Sequence, residues 1–281
     1  MLANLASLIK DAAFRQKWIL LSAVFILFCF WLVLQHTAQQ SVSRSLAEQN
    51  TSNAAMLHAL EGTVVRSFQS VNSSMQALAK SLSQQNSNLA INKLLIEQLR
   101  ISPQLRTIDV LDDHGLVTAS ASKSLGKQDS YACLKTLQNE PLTDFVIEAP
   151  RKGRYPNDPF AEQSSHYYIP LCFPVKDTDG QLSKVLVASI NPQYFYSLFT
   201  SITDSYASDV HLYRYDGQRL LTTGGVEPDL QWLLNQVDEK SWGQFRTSIE
   251  QTNYLVSYRS TSLLPIVLVL LSDEALALAA W

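Results

Sequence analysis

Hydrophobic positions along this chain change period three times, and each change marks a new kind of element. Trp18 to Leu34 (WILLSAVFILFCFWLVL) is apolar on every side, with Ser22 as its only hydroxyl. At about 1.5 Å per residue a helix over this run spans roughly 26 Å, enough for the hydrocarbon core of a bilayer. From Ser41 to Gln84 there is no proline and only Gly62 among the glycines. Leu57, Leu60, Val64, Phe68, Val71, Met75, Leu78 and Leu82 recur there at steps of three and four, one face of a long amphipathic helix. A second helix is predicted over Asn88–Arg100, ended by Ser102-Pro103.

After Pro103 the period becomes two. Arg106–Leu111 and Leu116–Ala121 read as strands joined by an Asp112-Asp113-His114-Gly115 turn. Asp129–Gln138 reads as a helix with Asp129 at its N-cap, and Asp144–Glu148 as a short strand. Arg151–Ser165 has no period and reads as a loop. His166–Val175 and Leu182–Ile190 are strands around the turn Asp177–Gly180, and Asn191-Pro192 opens a helix towards Ile202. A hairpin follows over Val210–Tyr215 and Gln218–Thr223. Then come a helix near Asp229–Val237 and strands near Gly243–Ile249, Tyr254–Ser260 and Ile266–Leu271. The class is α+β with two antiparallel sheets, the second echoing the first: DVLDDHGLVTAS at Asp109–Ser120 parallels HLYRYDGQRLLTT at His211–Thr223.

Charge orients the chain. Lys10, Arg15 and Lys17 precede the apolar run, and no Lys or Arg follows it until Arg44. The positive-inside rule then puts residues 1–17 in the cytoplasm, a membrane helix at 18–35 and the rest outside. The run is longer than a signal-peptide core and lacks a small-x-small cleavage site. Leu263–Leu271 is too short for a second span and is followed by Asp273 and Glu274, so it reads as a buried strand. EALALAAW, which ends the stretch 272–281, looks like the start of an exit helix.

Composition excludes several functions. A net charge of -3 without a basic run gives no surface for nucleic acid. The five histidines form no HxxxH or HExxH pair, and the cysteines form no CxxC pair, so no metal or cofactor is expected. There is no GxSxG elbow and no phosphate-cradling glycine loop, and no catalytic residue is assigned. Asp112, Asp113, Asp177 and Asp179 sit before turn glycines, which explains them without chemistry. Cys133 and Cys172 read as two buried free thiols, with a disulfide the alternative if the domain is exported.

Together FPVKDTDGQLSKVLVASINPQYF at Phe173–Phe195, DVHLYRYDGQRLLTTGG at Asp209–Gly225 and LLPIVLVLLSDEALALAAW at Leu263–Trp281 resemble the double Cache (PDC-type) sensor domain of bacterial diguanylate cyclases, histidine kinases and chemoreceptors. The resemblance covers residues 36–271 and the exit helix. It implies two PAS-like modules behind the long helix (41–84): a membrane-distal one at 85–203 that binds a small molecule, and a membrane-proximal one at 204–271 that relays the change. The distal pocket it implies lies between the Arg151–Ser165 loop and the strands at Tyr167–Phe173 and Val185–Ser189. Candidate ligand contacts are Arg151, Arg154, Tyr155, Tyr167, Ser189 and Tyr131. Amino-acid-binding members place an Asp where Ser189 stands here, and arginines beside tyrosines suit a carboxylate. The expected partners are therefore a small ligand, the bacterial inner membrane and a second copy through the long helix. A membrane-anchored periplasmic scaffold that binds another protein is the alternative.

Overall fold

The computed structural model describes residues 2–83, 87–122, 126–128, 131–203, 208–228, 233–235 and 240–279, with residues 2–24 as backbone alone. Helix α1 (Leu2–Leu82) runs without a break from the charged N-terminal stretch through the apolar run and the amphipathic stripe. The apolar run is expected to continue into the amphipathic stripe, and the helix is unbroken between them. With no proline or turn cluster between them, nothing stops the helical ladder. Among the described residues no helix is long and apolar enough to cross a membrane; the Trp18–Leu34 run lies partly in the residues described as backbone alone. From Phe25 to Leu34 every side chain except Cys29 is exposed.

Helix α2 (Asn88–Arg100) has the limits expected of it. Two sheets follow, both antiparallel. The first is ordered β2-β1-β6-β5-β3, from β1 (Leu105–Leu111), β2 (Val117–Ser120), β3 (Val146–Ile147), β5 (Tyr167–Lys176) and β6 (Leu182–Ile190), with β4 (Arg151–Lys152) pairing β5. The second is ordered β8-β7-β11-β10-β9, from β7 (Ser208–Arg214), β8 (Arg219–Thr222), β9 (Trp242–Ile249), β10 (Thr252–Ser260) and β11 (Ile266–Asp273). Helices α3 (Ala132–Asn139) and α4 (Pro192–Thr203) pack on the first sheet and between the two, and α5 (Glu274–Ala279) leaves the second.

The stripe of α1 is the spine. Leu60, Val64, Phe68, Val71 and Met75 are buried in one core with Ile108, Leu186 and Phe173 of the first sheet and Val210, Leu212 and Leu268 of the second. Each full burial is worth about 2 kcal/mol, so this helix joins the two modules rather than lying on one of them. Phe68 meets Phe195 of α4 with ring centroids 5.5 Å apart.

The turns follow their chemistry. Asp112 Oδ1 accepts the His114 and Leu116 N–H groups, and Asp177 Oδ1 those of Asp179 and Gln181. Gly217 sits at φ 84°, a left-handed position that closes the β7–β8 turn at no Cβ cost. Asp273 Oδ1 caps α5 by accepting the Ala275 and Leu276 N–H groups.

Three expectations change. Cys133 and Cys172 are a disulfide, not free thiols; the fold brings α3 onto β5 across 39 residues of chain, a proximity that spacing alone does not reveal. The loop at Arg151–Ser165 contains β4 and a short 3-10 turn at Ala161–Gln163. Helix α3 starts at Ala132, while Asp129 and most of the helix sought near Asp229–Val237 lie outside the described residues.

Candidate functional site

The first sheet buries two faces. One meets α1. The other lies under α3, where Leu137 of the helix packs on Leu111, Val117, Val185 and Val187 of the sheet. Alternation along the strands places Thr107 and Asp109 of β1, Tyr168, Pro170 and Cys172 of β5, and Ser189 of β6 on this second face. Thr107 sits directly opposite Ser189, and Asp109 opposite Val187.

Polar groups are buried here to an unusual degree. Thr107, Asp109 and Ser189 are 0% exposed. The Ser120 hydroxyl donates to Asp109 Oδ1, and Ser120 Oγ in turn accepts the Ser122 N–H at 2.9 Å. The Thr107 and Ser189 hydroxyls find no hydrogen-bond partner among the described residues. Each such orphan costs about 1–3 kcal/mol, which a fold tolerates where a bound group completes the bonds.

An arginine closes one side. The Arg151 guanidinium lies 4.1 Å from the Tyr131 ring centroid and donates to Glu148 Oε2 at 3.0 Å. The other Glu148 oxygen accepts the Cys133 N–H at 2.5 Å. The disulfide therefore ties α3, and Tyr131 just before it, to the sheet beside the carboxylate that holds Arg151. Cys133, Glu148 and Cys172 present donor atoms within 4.8 Å of one another. With the sulfurs bonded to each other and the carboxylate engaged, the group is a structural clasp; a thiolate metal site needs both sulfurs free.

The six candidate residues fall into three places. Tyr131, Arg151 and Ser189 share the face under α3. Arg154 and Tyr155 belong to the loop: Arg154 binds Asp158 through its backbone N–H and its Nε, each at 3.0 Å, and its guanidinium lies 5.8 Å from the Tyr155 ring. The Arg154 bonds hold the buried Asp158 carboxyl down at about 2. Gly153 makes this knot possible: at φ 109° a side chain is strained, and its Cβ would stand 3.1 Å from Asp158 Cβ. Tyr167 shares its side of β5 with Ile169, which packs towards α1, and lines a cleft of about 400 Å³ with Lys152, Arg219 and Thr222.

By sequence, Tyr168 counts with Tyr155 and Tyr167 as a core or rim residue, and Thr107, Asp109 and Glu148 have no role. The signal is in RTIDVL: a carboxylate flanked by Ile108 and Val110, sharing its face with a hydroxyl two residues earlier.

No protein-family model and no curated protein matches the sequence. Solved structures do match. The extracellular domain of rpHK1S-Z16, described as a histidine kinase, superposes with a TM-score of 0.69 at 20% identity, over 84% of this chain and 99% of that one. The ligand-binding domain of the Pseudomonas aeruginosa amino-acid chemoreceptor PctC, solved with GABA, gives 0.57 at 14% identity over 80% and 100%. The sensory domain of the Campylobacter jejuni chemoreceptor Tlp3, solved with isoleucine, gives 0.57 at 14% identity over 84% and 97%. The fold is that of the double Cache sensor domains. At these identities the likeness is one of fold, and these neighbours are extracellular, ligand-binding and sensory domains.

Proposed function

We propose that this chain is a membrane-anchored, extracytoplasmic input domain that binds a small carboxylate-bearing molecule on the first sheet and passes the change towards the membrane. The observation that carries the reading is the closed face under α3, where Thr107 and Ser189 bury unbonded hydroxyls beside Asp109 and the Arg151–Tyr131 pair. Arg151 supplies donors for a carboxylate. Asp109 supplies, one strand away, the negative charge that Ser189 lacks, so an ammonium on the same ligand has a counter-charge. Tyr168 faces this site and takes the place first considered for Tyr167.

Two features support the location. An uninterrupted apolar surface at Phe25–Leu34 is expensive in water and favourable in lipid. A disulfide persists in an oxidising compartment. Residues 18–35 are then the anchor, and 85–203 and 204–271 the distal and proximal modules. The groove between α1 and Arg246 of β9, at Ala38, Val42, Leu46 and Ala47, offers small and apolar positions for a second copy.

Contacts already in place form a route for the signal. Arg214, at the end of β7, donates to the Ile147 carbonyl at 2.5 Å and pairs with Asp216. Ile147 precedes Glu148, the residue that holds Arg151. Further down, Arg259 of β10 pairs with Glu61 of α1, and Arg246 of β9 lies 3.4 Å from Glu274 of α5. A shift of Arg151 on binding is thereby coupled to both helices at the membrane.

The full chain in detergent, screened by thermal shift against amino acids and short carboxylates, is expected to gain several degrees with at least one compound. Ligand at 100-fold over Kd contributes about 2.7 kcal/mol. Arg151→Ala should abolish the gain, and a panel with no stabilising compound would overturn the reading. Arg214→Ala should leave that ligand's affinity within about twofold while removing ligand-induced changes in amide exchange in the β7–β8 hairpin. Unaltered exchange changes in this variant would exclude the route through Arg214.

A further inference from the structure

The clasp of Cys133, Cys172 and Glu148 holds more donor chemistry than a crosslink needs. Its two sulfurs and a carboxylate oxygen lie within 4.8 Å of one another, and all three residues are buried. Three segments converge to build it. Cys133 comes from α3 and Cys172 from β5, while Glu148 stands just after β3 with its N–H on the Pro170 carbonyl at 2.9 Å. The carboxylate is already aimed. Oε1 accepts the Cys133 N–H, and Oε2 is held by Arg151 at 3.0 Å. Oε1 keeps a second lone pair on the side of the sulfurs.

Opening the disulfide takes two electrons and two protons. An external dithiol supplies both and leaves as its own disulfide, so Cys133 and Cys172 become two thiols. Helix α3 gives the way in. Of its eight residues only Cys133 and Leu137 are buried, so lifting it uncovers both sulfurs at the loss of few contacts. Back on the sheet, two thiols face a buried carboxylate. They stay protonated there, because two thiolates beside Glu148 would repel it and one another.

We propose that the reduced clasp is a site for one thiophilic divalent cation of the zinc class. Cys133 Sγ, Cys172 Sγ and Glu148 Oε1 are its protein ligands, and a water takes the fourth tetrahedral position. Binding releases the two thiol protons to solvent. The charges then cancel. Two thiolates and the carboxylate bring three negative charges, the cation brings two positive ones, and Arg151 brings the third. Arg151 also fixes the ligating carboxylate through Oε2, as partners of metal ligands do. Calcium and magnesium are excluded, since they take about six or more oxygen donors. Disulfide and cation are alternatives that each hold α3 on the sheet. This site does not depend on a small molecule binding beside it.

Zinc titration of the full chain in detergent tests this, in a Cys29→Ser background that removes the remaining thiol. A phosphine opens the disulfide without holding zinc tightly, and a chromophoric chelator reports the free ion. The reduced protein should take up one zinc per chain, about 100-fold or more tightly than the oxidised protein. Zinc should also return the melting temperature of the reduced protein towards the oxidised value. Cadmium in its place should give thiolate charge-transfer absorption, which sites built of histidine and carboxylate lack. Glu148→Gln should weaken zinc by about tenfold or more and keep that band, and Cys133→Ser/Cys172→Ser should lose both. Should Glu148→Gln fail to fold, the single variants Cys133→Ser and Cys172→Ser carry the test, each with about half the cadmium band. Four results would overturn the proposal. They are no uptake by the reduced protein, equal uptake by both redox forms, uptake that survives loss of both cysteines, and unchanged affinity in a folded Glu148→Gln.

Discussion

Removing the Cys133–Cys172 bond should cost this protein about 4 kcal/mol, the loop-closure entropy of a crosslink across some 39 residues. For a chain of this size that lowers the melting temperature by roughly 10 °C. The loss has a local part as well. Helix α3 is short, and its first turn is held by the Cys133 N–H on Glu148 and by the disulfide itself. Once freed, α3 takes Tyr131 away from Arg151, so ligand affinity on the first sheet should fall with stability. The check is a melt of Cys133→Ala/Cys172→Ala against the parent, each with and without a reducing agent. The parent should fall towards the double variant on reduction, and the double variant should not respond. Equal melting points for the two oxidised proteins would show that the bond contributes nothing.

Acid should destabilise the fold through His211, by about 3 kcal/mol between pH 6.5 and pH 4. Burial, with a further push from Arg219, lowers this imidazole to about 4 in the folded state. The groups around it are the Thr222 hydroxyl, the Tyr213 ring and the Arg219 charge, and none of these welcomes a second proton. An unfolded chain takes up that proton near pH 6.5. Stability is therefore complete above pH 6.5 and is lost as pH falls through the window to about 4. Asp209 acts the other way, since burial raises its carboxyl and its protonated form favours the fold. Asp158, held at about 2, adds a loss that begins as pH falls through the ordinary carboxylate value and runs down to about 2, below the histidine's window. The comparison that isolates the histidine is His211→Gln against parent, by denaturant unfolding at pH 7, 6, 5 and 4. The variant should lack most of the slope between pH 6.5 and 5. Parallel curves would show that His211 is not the group responsible.

The two predictions concern residues that sequence reading treated differently from the structure. Cys133 and Cys172 were visible as a pair, but 39 residues of chain say nothing about whether two sulfurs meet. His211 was visible only as one of five scattered histidines. Its burial depends on packing over the face of the second sheet away from α1, where Tyr213 stacks on it beside Leu233 and Tyr258, and on a hairpin register that aligns it with Thr222. The six ligand candidates show the same division. Tyr131 and Arg151 meet because the disulfide sets α3 against β5 while β4 pairs with β5, and Ser189 of the adjacent β6 shares that face of the sheet. Tyr167 falls on the other face because a strand reverses its side chains at every residue, so a shift of one position moves a contact from one side of the sheet to the other.

By itself the sequence determined what local physics determines. Period and punctuation are local, and they were sufficient for the α1 stripe, the limits of α2, the acidic turns, the alternation of the strands and the repeat of one hairpin by another. Only the tertiary structure decided which residues from distant strands share a face, which carboxylates are engaged and which hydroxyls are left without a bond. Those outcomes depend on contacts between residues tens of positions apart, whose geometry follows from strand order and helix packing rather than from any one segment.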